Sequence, residues 1–257
     1  VDFRVLGTVA LDLDGRVTPC RGVKQQLLLV SLLMEPGQVV PTEVLVDRLW
    51  GERPPADAGA ALCVHVCRLR AFLREAERPG VRGVTLDRGT AGYLLDVRRS
   101  AVDVHRFREY LGTGAAPGIP QERRSRLFRA ALHLWRGVPL TGLPGEWADR
   151  VRTGLYHQRI DAVLGWARAE LAEGRASATV GPLAELVEEF PLVEPLAAAL
   201  LRALSAGGRT AEALERYAAV RRRLDEELGV DPGPELQEVH RDLLRGWSVR
   251  PGDPVRY

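Results

Sequence analysis

Gly59-Ala-Ala-Leu-Cys-Val-His-Val-Cys-Arg-Leu-Arg-Ala-Phe-Leu-Arg74, with Val84-Thr-Leu-Asp-Arg-Gly-Thr-Ala-Gly-Tyr-Leu-Leu95 after it, is the centre from which the chain is read outward. In the first segment Leu62, Val66, Leu69 and Leu73 recur at i, i+4, i+7 and i+11, the spacing of one apolar helix face. Arg68, Arg70 and Arg74 fall on its flanks or far side, with Val64 and Cys67 near them. The second segment reads as two short strands about a tight turn, with Arg88-Gly89 at or near the tip. A helix with outward arginines followed by a basic-tipped hairpin is the arrangement of a winged helix-turn-helix. There the helix enters the major groove of DNA and the wing reaches the flanking minor groove or backbone.

The flanking sequence is consistent with that reading. Residues 3–19 alternate through Phe3, Val5, Val9, Leu11 and Leu13, with Asp14-Gly15 as a hairpin turn, which predicts a small antiparallel sheet with one buried face. Lys24 to Met34 is strongly apolar and stops at Pro36-Gly37, which predicts a buried helix. Pro41-Thr-Glu opens a second helix that Gly51 ends, and Pro54-Pro55 enforces an extended turn before the third. Strands, three helices and a hairpin make one domain over 1–99. From Val102 onward there is no strand pattern, and residues 100–257 read as an all-α domain. Helices are expected at 103–111, 121–135, 146–173, 178–189, 193–206, 209–228 and 234–246, with Thr113 to Pro120 as the loosest linker. Short turns between the last helices, with Ala211, Ala213 and Tyr217 in one of them, resemble tetratricopeptide-type pairs. Trp135, Trp147, Trp166, Phe190 and Tyr217 lie at helical positions and are expected in the core.

Composition excludes several classes. At 257 residues and 46% apolar, the chain can bury two ordinary cores. No apolar run approaches the roughly 18 residues of a membrane span, so no membrane association is expected and the location is read as cytoplasmic, with the DNA-binding reading placing it on the nucleoid. Residues 1–99 hold 14 basic and 12 acidic residues, and the remainder holds 22 of each, so attraction to nucleic acid must come from a local patch. Arg68, Arg70, Arg74 and Arg78 are that patch. Three cysteines, Cys20, Cys63 and Cys67, are too few for a disulfide framework. In Cys63-x-His65-x-Cys67 the thiols share a helix face and the imidazole points away, so one ion cannot collect all three and no metal is expected. There is no phosphate-binding loop, His-Glu-x-x-His or Gly-x-Ser-x-Gly, and Gly112-Thr-Gly114 completes no dinucleotide fingerprint. The reading is therefore not an enzyme, with no catalytic residues and no cofactor.

The ordered motifs resemble one family along nearly the whole chain. His65-Val-Cys-Arg-Leu-Arg70 and Gly92-Tyr93 resemble the recognition helix and wing of an OmpR-type winged helix, with a residue such as Ala91 inserted before Gly92, and Val5-Leu-Gly7 and Leu49-Trp-Gly51-Glu52 with Pro54-Pro55 stand in one ordered series with them. Val102-Asp103 with Phe107, Leu134-Trp-Arg-Gly137, Gly208-Arg-Thr-Ala-Glu-Ala-Leu214 and Glu227-Leu-Gly-Val-Asp-Pro-Gly-Pro-Glu235 continue the series. Together they resemble the Streptomyces antibiotic regulatory protein (SARP) family. That resemblance implies an OmpR-like α+β winged helix joined to an all-α, tetratricopeptide-like bacterial transcriptional activation domain. It also implies an activator of antibiotic biosynthesis gene clusters that binds promoter direct repeats head to tail and contacts RNA polymerase and its sigma factor. Two departures stand out: Gln26 where the family has arginine, and Cys67 where serine or arginine is usual.

The expected DNA-contacting set is Arg68, Arg70, Arg88, Val64, Cys67, Arg74, Thr42 and Trp50. Arg68 or Arg70 would donate two hydrogen bonds to guanine, worth about 1–3 kcal/mol of discrimination. Val64 and Cys67 would touch a thymine methyl, Arg88 would enter a narrow minor groove, and Arg74, Thr42 and Trp50 would hold backbone phosphates. His65 is assigned to the domain interior. The competing reading is a helical-repeat scaffold or effector-sensing adaptor whose winged helix mediates protein contacts.

Overall fold

A computed structural model of the chain describes residues 2–74 and 84–246; Arg78 and the tail from Trp247 lie outside the described residues. The first sheet is β1 (Asp2–Arg4), β2 (Ala10–Leu13) and β3 (Arg16–Pro19), antiparallel in that order, with Phe3 opposite Leu11 and Leu13 opposite Arg16. Asp14 and Gly15 both have positive φ (50° and 93°), which is the twist a two-residue hairpin requires, and the Asp12 carboxylate accepts from Gly15 N at 2.8 Å. Phe3, Val5, Val9 and Leu11 are fully buried, as the alternation predicts, whereas Leu13 beside the turn is only half-buried.

Helix α1 (Val23–Leu33) is buried continuously from Leu27 to Leu33. It is followed by β4 (Val39–Pro41), α2 (Thr42–Trp50), α3 (Ala58–Arg74), β5 (Thr85–Arg88) and β6 (Gly92–Asp96). The β5–β6 hairpin is the expected one. Strand β4 is an addition, since three residues carry no readable alternation, and it turns the hairpin into a sheet of order β4-β6-β5.

Beyond the hairpin come α4 (Asp103–Ala115), α5 (Gln121–Leu132), α6 (Glu146–Ala172), α7 (Val180–Glu189), α8 (Glu194–Ala206), α9 (Thr210–Leu228) and α10 (Pro234–Leu244). No described residue past Asp96 belongs to a named strand. The linker is shorter than Thr113 to Pro120, because α4 continues to Ala115.

Two compact units emerge, and they interleave along the chain: Val1–Glu109 with His133–His157, and Tyr110–Leu132 with Gln158–Tyr257. In the first, the loop before α6 lies along the β1–β2 connection, with Arg136 N on Leu6 O at 2.8 Å and Leu140 N on Val5 O at 3.1 Å. The fully buried Asp103 carboxylate accepts from Val5 N (3.0 Å) and Leu6 N (3.2 Å) and lies 3.4 Å from Arg136. Burial pushes its pKa up to about 6, against the lowering effect of those N–H groups and of Arg136. Phe107 meets Trp135 edge-on at 5.6 Å, and Trp135 stacks on Tyr156 at 6.1 Å. Arg48 of α2 bonds Glu35 at 2.6 Å and lies over the Trp147 ring at 4.9 Å.

In the second unit the Ala-rich α8 is the central element, packed against α7, α9 and α10, with Leu196, Leu200, Leu201 and Leu204 inside. Gly229 closes α9 in the left-handed conformation (φ 66°, ψ 29°). Glu170 of α6 is buried yet saturated, receiving Ser125 Oγ, Trp166 Nε1 (3.2 Å), Arg129 Nη2 (3.0 Å) and Arg175 Nε (2.9 Å). Burial raises its pKa, and the Ser125, Arg175 and Arg129 bonds outweigh that and hold it below the ordinary glutamate value. Trp166 and Tyr217 are buried as expected; Trp135, Trp147 and Phe190 are half-buried.

Candidate nucleic-acid interface

The surface of interest is built by α3, its neighbour α2 and the β5–β6 hairpin, all in the first unit. Helix α3 starts under Asp57, whose Oδ1 accepts from Ala60 N at 2.8 Å. Its inner ridge is Leu62, Val66, Leu69 and Leu73, all buried. At 3.6 residues per turn the opposite ridge is Ala60, Val64, Cys67 and Ala71, and all four are exposed, Val64 by 49%. This outward ridge is made of small side chains, so a partner can approach the helix axis closely.

Arginines border the ridge on both sides. Arg68 stands on one side, exposed, next in space to the half-buried His65. On the other runs a second ridge, Cys63, Cys67, Arg70 and Arg74, which faces the hairpin. Arg70 is half-buried, and its Nε donates to Leu86 O of β5 at 2.9 Å. That bond couples the helix to the wing, so Arg70 spends part of its guanidinium on positioning. Arg74 is exposed in the last turn of α3. Arg88 is exposed at the end of β5, paired in register with Tyr93, and neither its side chain nor that of Arg68 makes a hydrogen bond to another described residue.

The wing is held by a close backbone approach. A Cβ at Gly92 would lie 2.0 Å from Val40 O, so only glycine lets β6 sit against β4 here. Tyr93 is buried, with its hydroxyl 3.6 Å from Cys63 Sγ, and burial pushes its pKa up. Thr42 is half-buried at the start of α2, and its N–H donates to Ala91 O at 3.1 Å, which ties α2 to the wing turn and occupies that donor. Trp50, half-buried, lies 5.9 Å from the His65 ring, and the Lys24 ammonium is 5.9 Å from the Trp50 ring while donating to Leu49 O. Burial, then Arg68 and Lys24, lower the His65 pKa, so the imidazole is neutral at pH 7. Gln26 turns inward to Cys20 O at 2.6 Å.

The structure thus brings Val64, Cys67, Arg68, Arg70 and Arg74 onto one helix surface beside the hairpin that carries Arg88. Thr42 and Trp50 are at opposite ends of α2 and both half-buried, Thr42 held through its backbone N–H and Trp50 beside the His65 ring. Sequence reasoning missed Ala60 and Ala71, although the i, i+4, i+7, i+11 spacing with Val64 and Cys67 was available to find them.

A recognition-type helix with a wing, followed by a helical array, defines a transcriptional regulator of the winged helix-turn-helix class. Residues 22–95 match the family described as "Transcriptional regulatory protein, C terminal", and residues 102–244 match "Bacterial transcriptional activator domain". The chain belongs to the Streptomyces antibiotic regulatory protein family. It is 34% identical over 247 residues to Transcriptional regulator RedD of Streptomyces coelicolor, covering 95% of this chain and 70% of that one. It is 31% identical over 252 residues to Regulatory protein DnrI of Streptomyces peucetius, covering 95% and 92%. Its fold is similar to Mycobacterium tuberculosis EmbR in complex with a low-affinity phosphopeptide, with a TM-score of 0.86 and 33% identity over 97% of this chain and 66% of that one. These relatives are regulators, not enzymes.

Proposed function

We propose that this chain is a sequence-specific DNA-binding activator of a secondary-metabolite gene cluster, acting at the nucleoid in the cytoplasm. The observation that carries the reading is the small-residue ridge of α3 bordered by arginines, with the wing bonded to its flank through Arg70. In this reading residues 1–99 select the promoter and residues 100–257 recruit RNA polymerase with its sigma factor. Arg68 reads a base, Val64 and Cys67 accept a thymine methyl, and Arg88 enters the minor groove. Arg70 positions the wing and, with Arg74, attracts phosphate, while Thr42 and Trp50 hold the backbone contact of α2. Two copies bind head to tail on direct repeats about one helical turn apart, so that both lie on one face of the duplex.

Selection of bound duplexes from a random pool, with wild type and Arg68→Ala in parallel, tests this. Wild type is expected to return a repeated motif. Arg68→Ala is expected to blur it and weaken binding by about 1–3 kcal/mol, roughly 5- to 150-fold. Recovery of no motif by folded protein at low salt would overturn the reading. Insertion of half a helical turn between the repeats is expected to abolish activation, and undiminished activation would exclude the tandem arrangement.

A further inference from the structure

Two of the three cysteines stand one helical turn apart on the wing-facing ridge of α3. Cys63 and Cys67 are both exposed, and neither is in a disulfide. The geometry that denies His65 a place with them leaves a two-sulfur set. Side chains at i and i+4 have Cβ atoms about 5–6 Å apart. A disulfide needs about 3.5–4.5 Å, so direct oxidation to a bond within the helix is excluded. A single soft ion is different. Two metal–sulfur bonds of about 2.3 Å each span up to about 4.6 Å between sulfurs, a separation that rotation about the Cα–Cβ bonds reaches from Cβ atoms about 5–6 Å apart without unwinding the helix. Among the described residues no third ligand joins to make a tetrahedral site, which disfavours zinc and leaves the soft two-thiolate coordination that selects Cu(I).

We propose that Cys63 and Cys67 form a site for a soft monovalent cation of the Cu(I) class, and that its occupation switches off DNA binding. Binding breaks two S–H bonds, forms two S–Cu bonds, releases two protons to solvent and moves no electron. The product carries one net negative charge and lies on the same ridge as Arg70 and Arg74, whose guanidiniums stabilise it. The same charge replaces two neutral thiols on the face turned to DNA, where it repels phosphate and covers Cys67. Cys20 does not compete, since burial pushes its thiol up to about 12.

The blocking step rests on the DNA-reading role proposed above; the metal site does not. The experiment uses the full chain, anaerobic, with Cu(I) delivered from a chromophoric cuprous chelator, and reads copper transfer and DNA binding separately. Wild type is expected to withdraw one equivalent of copper and then to lose roughly ten-fold or more in DNA affinity. Cys63→Ser is expected to bind DNA as wild type does, to withdraw no copper, and to keep its DNA affinity in the presence of copper. No copper transfer to folded wild type, or equal transfer to Cys63→Ser, would overturn the site. Stoichiometric loading with unchanged DNA affinity would overturn the switch. Stoichiometric loading of a protein that binds no DNA without copper would overturn the function proposed above and the switch with it, and leave the metal site standing.

Discussion

Replacing Asp103 tests how the first unit is held together. Its carboxylate is fully buried and caps two backbone donors, Val5 N and Leu6 N, nearly a hundred residues earlier in the chain. Asp103→Ala leaves both N–H groups without an acceptor, at about 1–3 kcal/mol each, so a loss of about 3 kcal/mol or more is expected. Asp103→Asn keeps one oxygen and is expected to cost less. The two also separate the hydrogen bonds from the charge. Burial raises the folded pKa from 3.8 to about 6, so the folded state holds the proton more tightly than the unfolded chain. Stability from this group is therefore fully present below about pH 4 and is lost as pH rises through 6, in all about 3 kcal/mol. The lowered pKa values of His65 and His105 act oppositely, their stability being present above 6.5 and lost as pH falls, so the wild-type curve alone mixes both signs. The difference between wild type and Asp103→Asn isolates the carboxylate. Urea unfolding followed by tryptophan fluorescence is expected to show wild type losing about 2 kcal/mol relative to Asp103→Asn between pH 4.5 and 7.5. A difference that does not change with pH would refute the reasoning.

Gly92→Ala is expected to part β6 from β4, since its methyl would meet Val40 O at 2.0 Å with no rotamer to relieve it. Loss of two or three ladder bonds at roughly 0.5–1.5 kcal/mol each should lower the melting temperature and weaken DNA binding through the wing; an unchanged melt would show that the strands do not need this contact. Glu170→Ala is expected to cost about 2 kcal/mol or more in the second unit by stranding the buried Ser125 hydroxyl and Trp166 N–H, while the half-exposed Arg129 returns to water. Because the folded pKa of Glu170 is lowered, its contribution is present above about 4.5 and lost as pH falls, so the variant's deficit in chemical denaturation should shrink in acid, and a deficit constant with pH would contradict that.

The chain's local periodicities determined a good deal without help. Leu62, Val66, Leu69 and Leu73 named the buried side of α3, and therefore its outward side, because a helix fixes the angle between residues wherever it sits. Asp14-Gly15 named its own turn, since few residues tolerate positive φ. The helices of the second half were legible from apolar spacing and from the Gly and Pro that end them. What tertiary structure alone decided is partnership across the chain. Arg70 looked like a free reader until Leu86 O appeared beside its Nε, and β4 was too short to declare itself until β6 lay against it. The Val102-Asp103 motif could be recognised but not explained, because the N–H groups that need Asp103 belong to Val5 and Leu6. Likewise nothing local says that residues 133–157 join the unit that carries the winged helix. Hydrogen-bond satisfaction and burial are conditions on groups brought together by folding, whereas periodicity is a property of the segment itself, and only the latter can be read from sequence one window at a time.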